Sequence, residues 1–251
     1  MVLDEIKSHQ SSINISGLSS FSLLSLFVAS LLEKNDSFPF VIFKDKRDAE
    51  KVVFDMESFV PPESIVFLPE ISELPRDDYS NFLINDAFQK IFTKNAKIIL
   101  SSAGALNLKL PNITEIKQTA LNLKTGLSVS KKEIVDRLIS FQYNREFSVE
   151  FPGEYASRGD IIDIYSHGDR HPFRIEFYGN SIESIRIIDK ESLQTIKKTD
   201  HVMILPVINE NTSSDSTLFS YLPENTLAIF PNYDTGGDIF HNLINNPAFS
   251  L

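Results

Sequence analysis

The sequence predicts a mixed α/β chain: a unit built around a parallel sheet, followed by a small α+β unit. Three observations predict it. Short β-branched runs alternate with longer amphipathic stretches up to about residue 108, the mark of βαβ units. The hydrophobic period then changes from about 3.6 to about 2 beyond residue 140, the mark of a meander. Finally, 251 residues exceed one typical domain, and the composition, 42% hydrophobic and 23% charged, is that of a folded chain.

In the first unit, strands are expected at Ile13 to Ser16, Phe40 to Phe43, Ser64 to Leu68 and Lys97 to Ser101, all apolar enough for a sheet covered on both faces. Helices are expected at Ser20 to Lys34, roughly Lys46 to Phe59, and Asn81 to Lys94. A second unit is expected from Gly126, with Ser128 or Ser130 capping a helix that runs through Ser140. Strands follow at Arg145 to Phe151, Tyr155 to Tyr165, Phe173 to Tyr178, Ser181 to Ile188 and His201 to Leu205, separated by PG, HGD and GN turns. Residues 207 to 216 are a polar connector, and Thr226 to Pro231 read as one more buried strand. Residues 217 to 251 either complete the first sheet or open a further domain. The expected divisions are therefore 1–125, 126–207 and 208–251.

Composition excludes several functions. Without cysteine there is no disulfide, thiolate metal site or cysteine nucleophile, and five scattered histidines lack the spacing of a helical zinc site. Twenty-four basic against 34 acidic residues give a net charge of −10, the wrong sign for tight autonomous binding to nucleic acid. The acidic amino terminus lacks the pattern of a signal peptide, and no run of eighteen apolar residues occurs, so a cytoplasmic protein with no membrane partner is expected.

Three motifs bear on chemistry. ISGLSSFSLL, residues 15–24, has the strand, glycine and helix order of a P-loop. A working loop needs a lysine for the β- and γ-phosphates and a hydroxyl for magnesium, but Gly17 is followed by Ser19, Ser20, Phe21 and Ser22 and by no lysine. It reads as a degenerate nucleotide loop, with Gly17, Ser19 and Ser20 as its remains and no cofactor held. A serine-capped helix start accounts for the same residues. SELPRDDYS, residues 72–80, gathers Glu73, Asp77, Asp78 and Tyr79, and reads as an acidic helix start rather than a paired-carboxylate site.

The third motif spans residues 141–189. If an even loop centres on Pro152 and Gly153, paired positions sum to 305, and Arg145 faces Asp160 while Phe147 faces Arg158. Arg145, Phe147, Val149, Ala156 and Arg158 then share one face, with the two arginines as diagonal neighbours. Arginines framing an aromatic resemble an interface hot spot. Equally, Arg145 pairs with Asp160 inside its own domain, and Phe147 and Val149 are core. Residues 127–206 hold 11 basic against 13 acidic side chains, so no basic stripe for nucleic acid exists there.

This segment, Tyr143-Asn144-Arg145, then Gly153-Glu154-Tyr155-Ala156-Ser157-Arg158-Gly159-Asp160-Ile161-Ile162-Asp163-Ile164-Tyr165, then Arg174-Ile175-Glu176-Phe177-Tyr178, resembles domain 2 of the UvrB and transcription-repair coupling factor family. Glu73-Leu74-Pro75 and the degenerate Gly17 loop resemble the first domain of the coupling factors rather than the intact helicase motif of UvrB. The resemblance implies a UvrA-binding module, with Arg145 and Arg158 as contacts beside Phe147. Ala156 stands where UvrB carries a further arginine. It also implies that the chain is the amino-terminal region of a much longer protein. In that protein, further domains bind RNA polymerase and DNA and use ATP and magnesium, whereas this fragment catalyses nothing. Gly159, Asp163 and Arg174 read as fold determinants, with Arg174 paired to a strand carboxylate.

Overall fold

A computed structural model of the chain describes residues 20–33, 37–68, 78–208 and 216–231. Two compact units emerge. One takes the described residues within Met1–Leu74, Lys94–Lys109 and Thr217–Leu251, and the other those within Pro75–Thr93 and Leu110–Ser216. These bounds differ from the expected divisions. The helix near residue 80 leaves the first unit for the second, which also starts before Gly126.

The first unit is a four-stranded parallel sheet. Helix α1 is Phe21–Glu33, β1 Phe38–Phe43, α2 Lys46–Met56, β2 Ile65–Leu68 and β3 Ile98–Ser102. The order is Thr226–Ile229, β1, β3, β2, so the carboxyl-terminal strand pairs in parallel with β1, Phe38 opposite Thr226. Apolar spacing sets which helical stripes are buried: Leu24, Val28 and Leu31 on α1, and Ala49, Val52 and Met56 on α2. Leu24 and Val28 of α1 and all three residues of the α2 stripe pack with Val41, Phe43, Ile98 and Leu100. The alternate residues Phe40, Ile42 and Ile99 are buried as well, and Phe40 meets Phe219 edge-on at 6.4 Å. Helix α2 starts at Asp45, whose carboxylate accepts the Asp48 amide at 3.1 Å. It stops at Met56, short of the expected Phe59.

The second unit holds α3 Asp78–Phe92, α4 Ile113–Thr119, β4 Leu121–Lys124, α5 Lys131–Ser140, β5 Asn144–Arg145, β6 Glu154–Arg158, β7 Ile161–Tyr165, β8 Phe173–Tyr178, β9 Ser181–Ile188, β10 Thr195–Thr199 and β11 His201–Ile204. Six strands form one sheet in the order β10-β9-β8-β7-β6-β5, and β11 pairs antiparallel with β4. Helix α5 is fixed by a reciprocal cap: Ser130 Oγ accepts the Glu133 amide at 3.1 Å and Glu133 accepts the Ser130 amide at 2.8 Å. Its Ile134 and Leu138 lie in a core with Tyr155, Ile162, Ile164, Ile175 and Ile185. That core occupies the inner face of the sheet.

Helix α3 is anchored to this unit by side-chain amides. Asn85 spans the backbone of Ile208, accepting its N–H at 2.6 Å and donating to its carbonyl at 2.8 Å, while Gln89 Nε2 donates to the Met203 carbonyl at 3.1 Å. Gly168 closes the contact. A β-carbon there would sit 2.8 Å from Gln89 Cγ, and its φ of +73° suits glycine.

Two expectations about the strands fail. Tyr155 to Tyr165 is not one strand but the hairpin β6–β7, turning at Gly159-Asp160 with Arg158 opposite Ile161; Gly159 takes φ +49° at the first turn position. The run from Arg145 to Phe151 is not a strand either. Only Asn144 and Arg145 pair, and they pair in parallel with Glu154 and Tyr155. The antiparallel register about Pro152-Gly153 is therefore wrong: Asn144 and Glu146 donate their N–H groups to the Gly153 and Tyr155 carbonyls, both at 2.9 Å, and Gly153 donates its own to the Tyr165 carbonyl at 2.8 Å, extending the β6–β7 pair at its open end. Among the described residues, no helix is long and apolar enough to cross a membrane.

Candidate protein-docking face

The outer face of the six-stranded sheet carries the charge. Side-chain alternation puts Tyr155, Ile162 and Ile164 inward, and therefore Ala156, Arg158, Asp163 and Arg174 outward. The registers Ala156–Asp163, Asp163–Arg174 and Arg174–Arg186 align Ala156, Asp163, Arg174 and Arg186 in one row across β6, β7, β8 and β9, with Arg158 two positions from Ala156 on the same face. Asp163 interrupts an otherwise apolar IIDIY strand, and its side chain is only 1% exposed. It is compensated by charge: Arg174 donates Nε to Oδ1 at 2.7 Å and Nη2 to Oδ2 at 2.8 Å, a bidentate grip. These hydrogen bonds raise the Arg174 pKa further. Arg158 Nη2 reaches the same Oδ2 at 3.3 Å. Beyond them Glu176 is ion-paired with Arg186 and accepts the Ser184 hydroxyl at 2.8 Å.

Residues 146–153 fold over one end of this face. The Glu154 carboxylate accepts the amides of Glu150 at 2.7 Å and Phe151 at 2.9 Å, and Val149 is buried with Ala156 and Tyr165. Phe147 is thereby displayed. It is 84% exposed, with the Arg158 guanidinium carbon 5.5 Å from its ring centroid. An exposed cation–π contact of this kind stabilises by about 0.5–1 kcal/mol.

Of the three predicted contact residues, the structure brings Phe147 and Arg158 together and places Arg145 elsewhere. Arg145 is level with Tyr155, three positions from Arg158, so the two arginines are not diagonal neighbours. Arg145 is exposed and has no ion pair with Asp160 or with any other described residue. Phe147 is not core, whereas Val149 is. The expected carboxylate partner of Arg174 is Asp163. What sequence reasoning missed is that Asp163 serves two arginines at once, although a lone acid in an apolar strand was a visible signal.

Gly17 and Ser19 lie outside the described residues, as do Glu73, Leu74, Pro75 and Asp77. Ser20 is described, and it starts α1: its Oγ accepts the Leu23 amide at 3.3 Å and its carbonyl the Leu24 amide at 3.1 Å. Among the described residues no cluster of histidines and carboxylates could hold a metal. A different titratable group surrounds α3 in the second unit. Asp86 and Lys90 pair at 2.8 Å, burial pushes the Asp169 carboxyl up to about 7, and burial holds His167 down at about 4.

Comparison with known proteins adds identity to this geometry. Residues 121–209 match the family model of the UvrB interaction domain. The transcription-repair-coupling factor of Bacillus subtilis is 26% identical over 198 residues, covering 76% of this chain and 17% of that protein. UvrABC system protein B of Clostridium acetobutylicum is 28% identical over 207 residues, covering 75% of this chain and 31% of its own length. That of Bacillus caldotenax is 26% identical over 185 residues, covering 66% and 28%. The chain thus spans less than a third of these relatives. It is similar over most of its own length to the transcription-repair-coupling factor and to UvrABC system protein B, and the match to the UvrB interaction domain model falls on the second unit.

Proposed function

We propose that this chain is a protein-docking module that binds UvrA, with Arg158 and Phe147 at the centre of the contact and Arg145 at the neighbouring sheet edge. The observation that carries this reading is the exposed Phe147 ring over a guanidinium on the open face of the interaction unit. Arginine and aromatic residues dominate protein hot spots because they combine planar multidentate charge with apolar area. The interaction domain and the relatives support a role in UvrA-linked nucleotide excision repair. We extend this to recruitment of UvrA to stalled RNA polymerase. On that extension, contacts to polymerase and DNA, and the use of ATP and magnesium by a translocating motor, belong to other parts of a longer protein. This chain itself holds no cofactor and catalyses no reaction.

Binding of purified UvrA to the chain and to Arg158→Ala, Phe147→Ala and Arg145→Ala tests the reading. Loss of a hot-spot arginine should cost at least about 2 kcal/mol, roughly thirtyfold in Kd. Wild-type affinity in all three variants would remove the site. The rival reading, a nucleotide-binding unit, is favoured by the parallel sheet and the helix that follows Gly17. Titration calorimetry with ATP and magnesium separates the two: docking alone predicts no heat, and a micromolar Kd would restore the nucleotide site.

A further inference from the structure

We propose that Asp163 is a positioning residue for the docking face: it holds the Arg158 guanidinium in place beneath Phe147 before any partner arrives. The inference rests on the UvrA reading for its functional consequence but on its own geometry for the mechanism. Arg158 ends β6 at a two-residue turn, and its side chain is 43% exposed. An arginine so placed ordinarily samples many rotamers, and docking would have to freeze them.

Here one fixed carboxylate removes that freedom. Asp163 is directly opposite Ala156 on β6, and Ala156 is itself buried with Val149 and Tyr165. Arg174, from the other neighbouring strand, occupies both Asp163 oxygens and so sets the plane of the carboxylate. The remaining acceptor capacity of Oδ2 takes Arg158 Nη2. Arg158 is therefore restrained on one side by Asp163 and on the other by the Phe147 ring. The rest of its N–H donors are left for a carboxylate or carbonyl of the partner.

Charge balance requires the same residue. Arg174 stands directly opposite Arg186, a like-charge cross-strand pair that is unfavourable unless compensated. Glu176 compensates Arg186, and Asp163 compensates Arg174 and Arg158 together. Because Asp163 is covered, it does not touch a partner, and its effect passes through Arg158.

The test uses the 251-residue chain with arginine side chains labelled for NMR. The Arg158 Nε–Hε signal, assigned by its absence in Arg158→Lys, should be ordered and shifted by the Phe147 ring, with the unpaired Arg145 as the mobile reference. In Asp163→Asn, Arg158 should become as mobile as Arg145 while the Ile162 and Ile164 methyl signals persist. UvrA affinity should then fall about tenfold, and Asp163→Asn should add nothing in an Arg158→Ala background, since both act on one contact. An Arg158 that stays ordered in folded Asp163→Asn overturns the proposal. Should Asp163→Asn fail to fold, the exposed substitution Phe147→Ala decides: Arg158 stays ordered if Asp163 holds it, and its becoming mobile overturns the proposal. Wild-type UvrA affinity in Arg158→Ala would defeat the docking reading alone, leaving the ordering measurement to judge Asp163.

Discussion

The two sheets of this chain divide stability and recognition differently. In the first unit the inner strands are buried on both sides, as in FPFVIF of β1 from Pro39 on and IILSS of β3 throughout. In the second unit β8, FRIEFY, alternates, with Phe173, Ile175 and Phe177 inward and Arg174, Glu176 and Tyr178 outward. A sheet covered on both faces has no surface to offer, so any interaction must be made at its edges or loops. A sheet with one open face can carry a charged row at little cost to its core. The proposed docking face is of the second kind, where the pleat leaves one row of side chains outward.

Opposite-face substitutions break this comparison most directly. Ile99→Ala and Leu100→Ala, on the two faces of β3, should each destabilise by about 2–5 kcal/mol in urea unfolding, since both sides are core. In β8 only Ile175→Ala should cost that much, while Tyr178→Ser, at an 81% exposed position, stays within about 0.5 kcal/mol. Equal losses at Ile175 and Tyr178 would mean that the outer face is covered.

The next effect concerns what the interaction unit needs beyond residues 121–209. Asn85→Ala strips the Ile208 N–H and carbonyl of their partner, and a buried unsatisfied polar group costs about 1–3 kcal/mol. The second unit alone should report this, through faster amide exchange at Ile208 and Met203. Unchanged exchange would detach α3 from the unit.

A smaller effect is a pH dependence in which two groups oppose each other. Asp169, raised to about 7, contributes stability that is complete below its ordinary value of 3.8 and lost as pH rises through 7. His167, lowered to about 4, contributes stability that is complete above its ordinary 6.5 and lost as pH falls through 4. Between about pH 4 and 6.5 the folded unit keeps its proton on Asp169 and the unfolded chain keeps it on His167, so the two contributions largely cancel. Asp86, also raised by burial, adds to the carboxylate side. Asp169→Asn should therefore make stability rise with pH across that window, and His167→Gln should make it fall. Parallel slopes in the two variants would refute the assignment. Phe147→Ala should cost no more than its exposed cation–π contact, about 0.5–1 kcal/mol, and on the proposed function its larger consequence falls on UvrA binding.

Much of this was legible in the sequence. Uninterrupted apolar runs identified β1, β2 and β3, because only a two-sided sheet tolerates them, and Ser130 with Glu133 identified the start of α5 by cap chemistry. Alternation identified β8 and β9, and with them Arg174 as an outward residue in search of an acid. What alternation could not supply was partnership. TIKKT of β10 has no apolar side and was not seen as a strand, because an edge strand is held by backbone hydrogen bonds that leave no mark on its composition. The Gly159-Asp160 turn was hidden inside a strand-like run. The parallel pairing of Asn144 and Arg145 replaced an antiparallel hairpin that the same letters allow, and this moved Arg145 away from Arg158. Local sequence thus determined the helices and the strands with a buried side, since burial and capping act on neighbours a few positions apart. Only the tertiary structure decided that Arg145 stands apart from Arg158 and that Asp163 bonds Arg158 as well as Arg174, because direction and register of pairing depend on distant backbone hydrogen bonds that side-chain pattern does not specify.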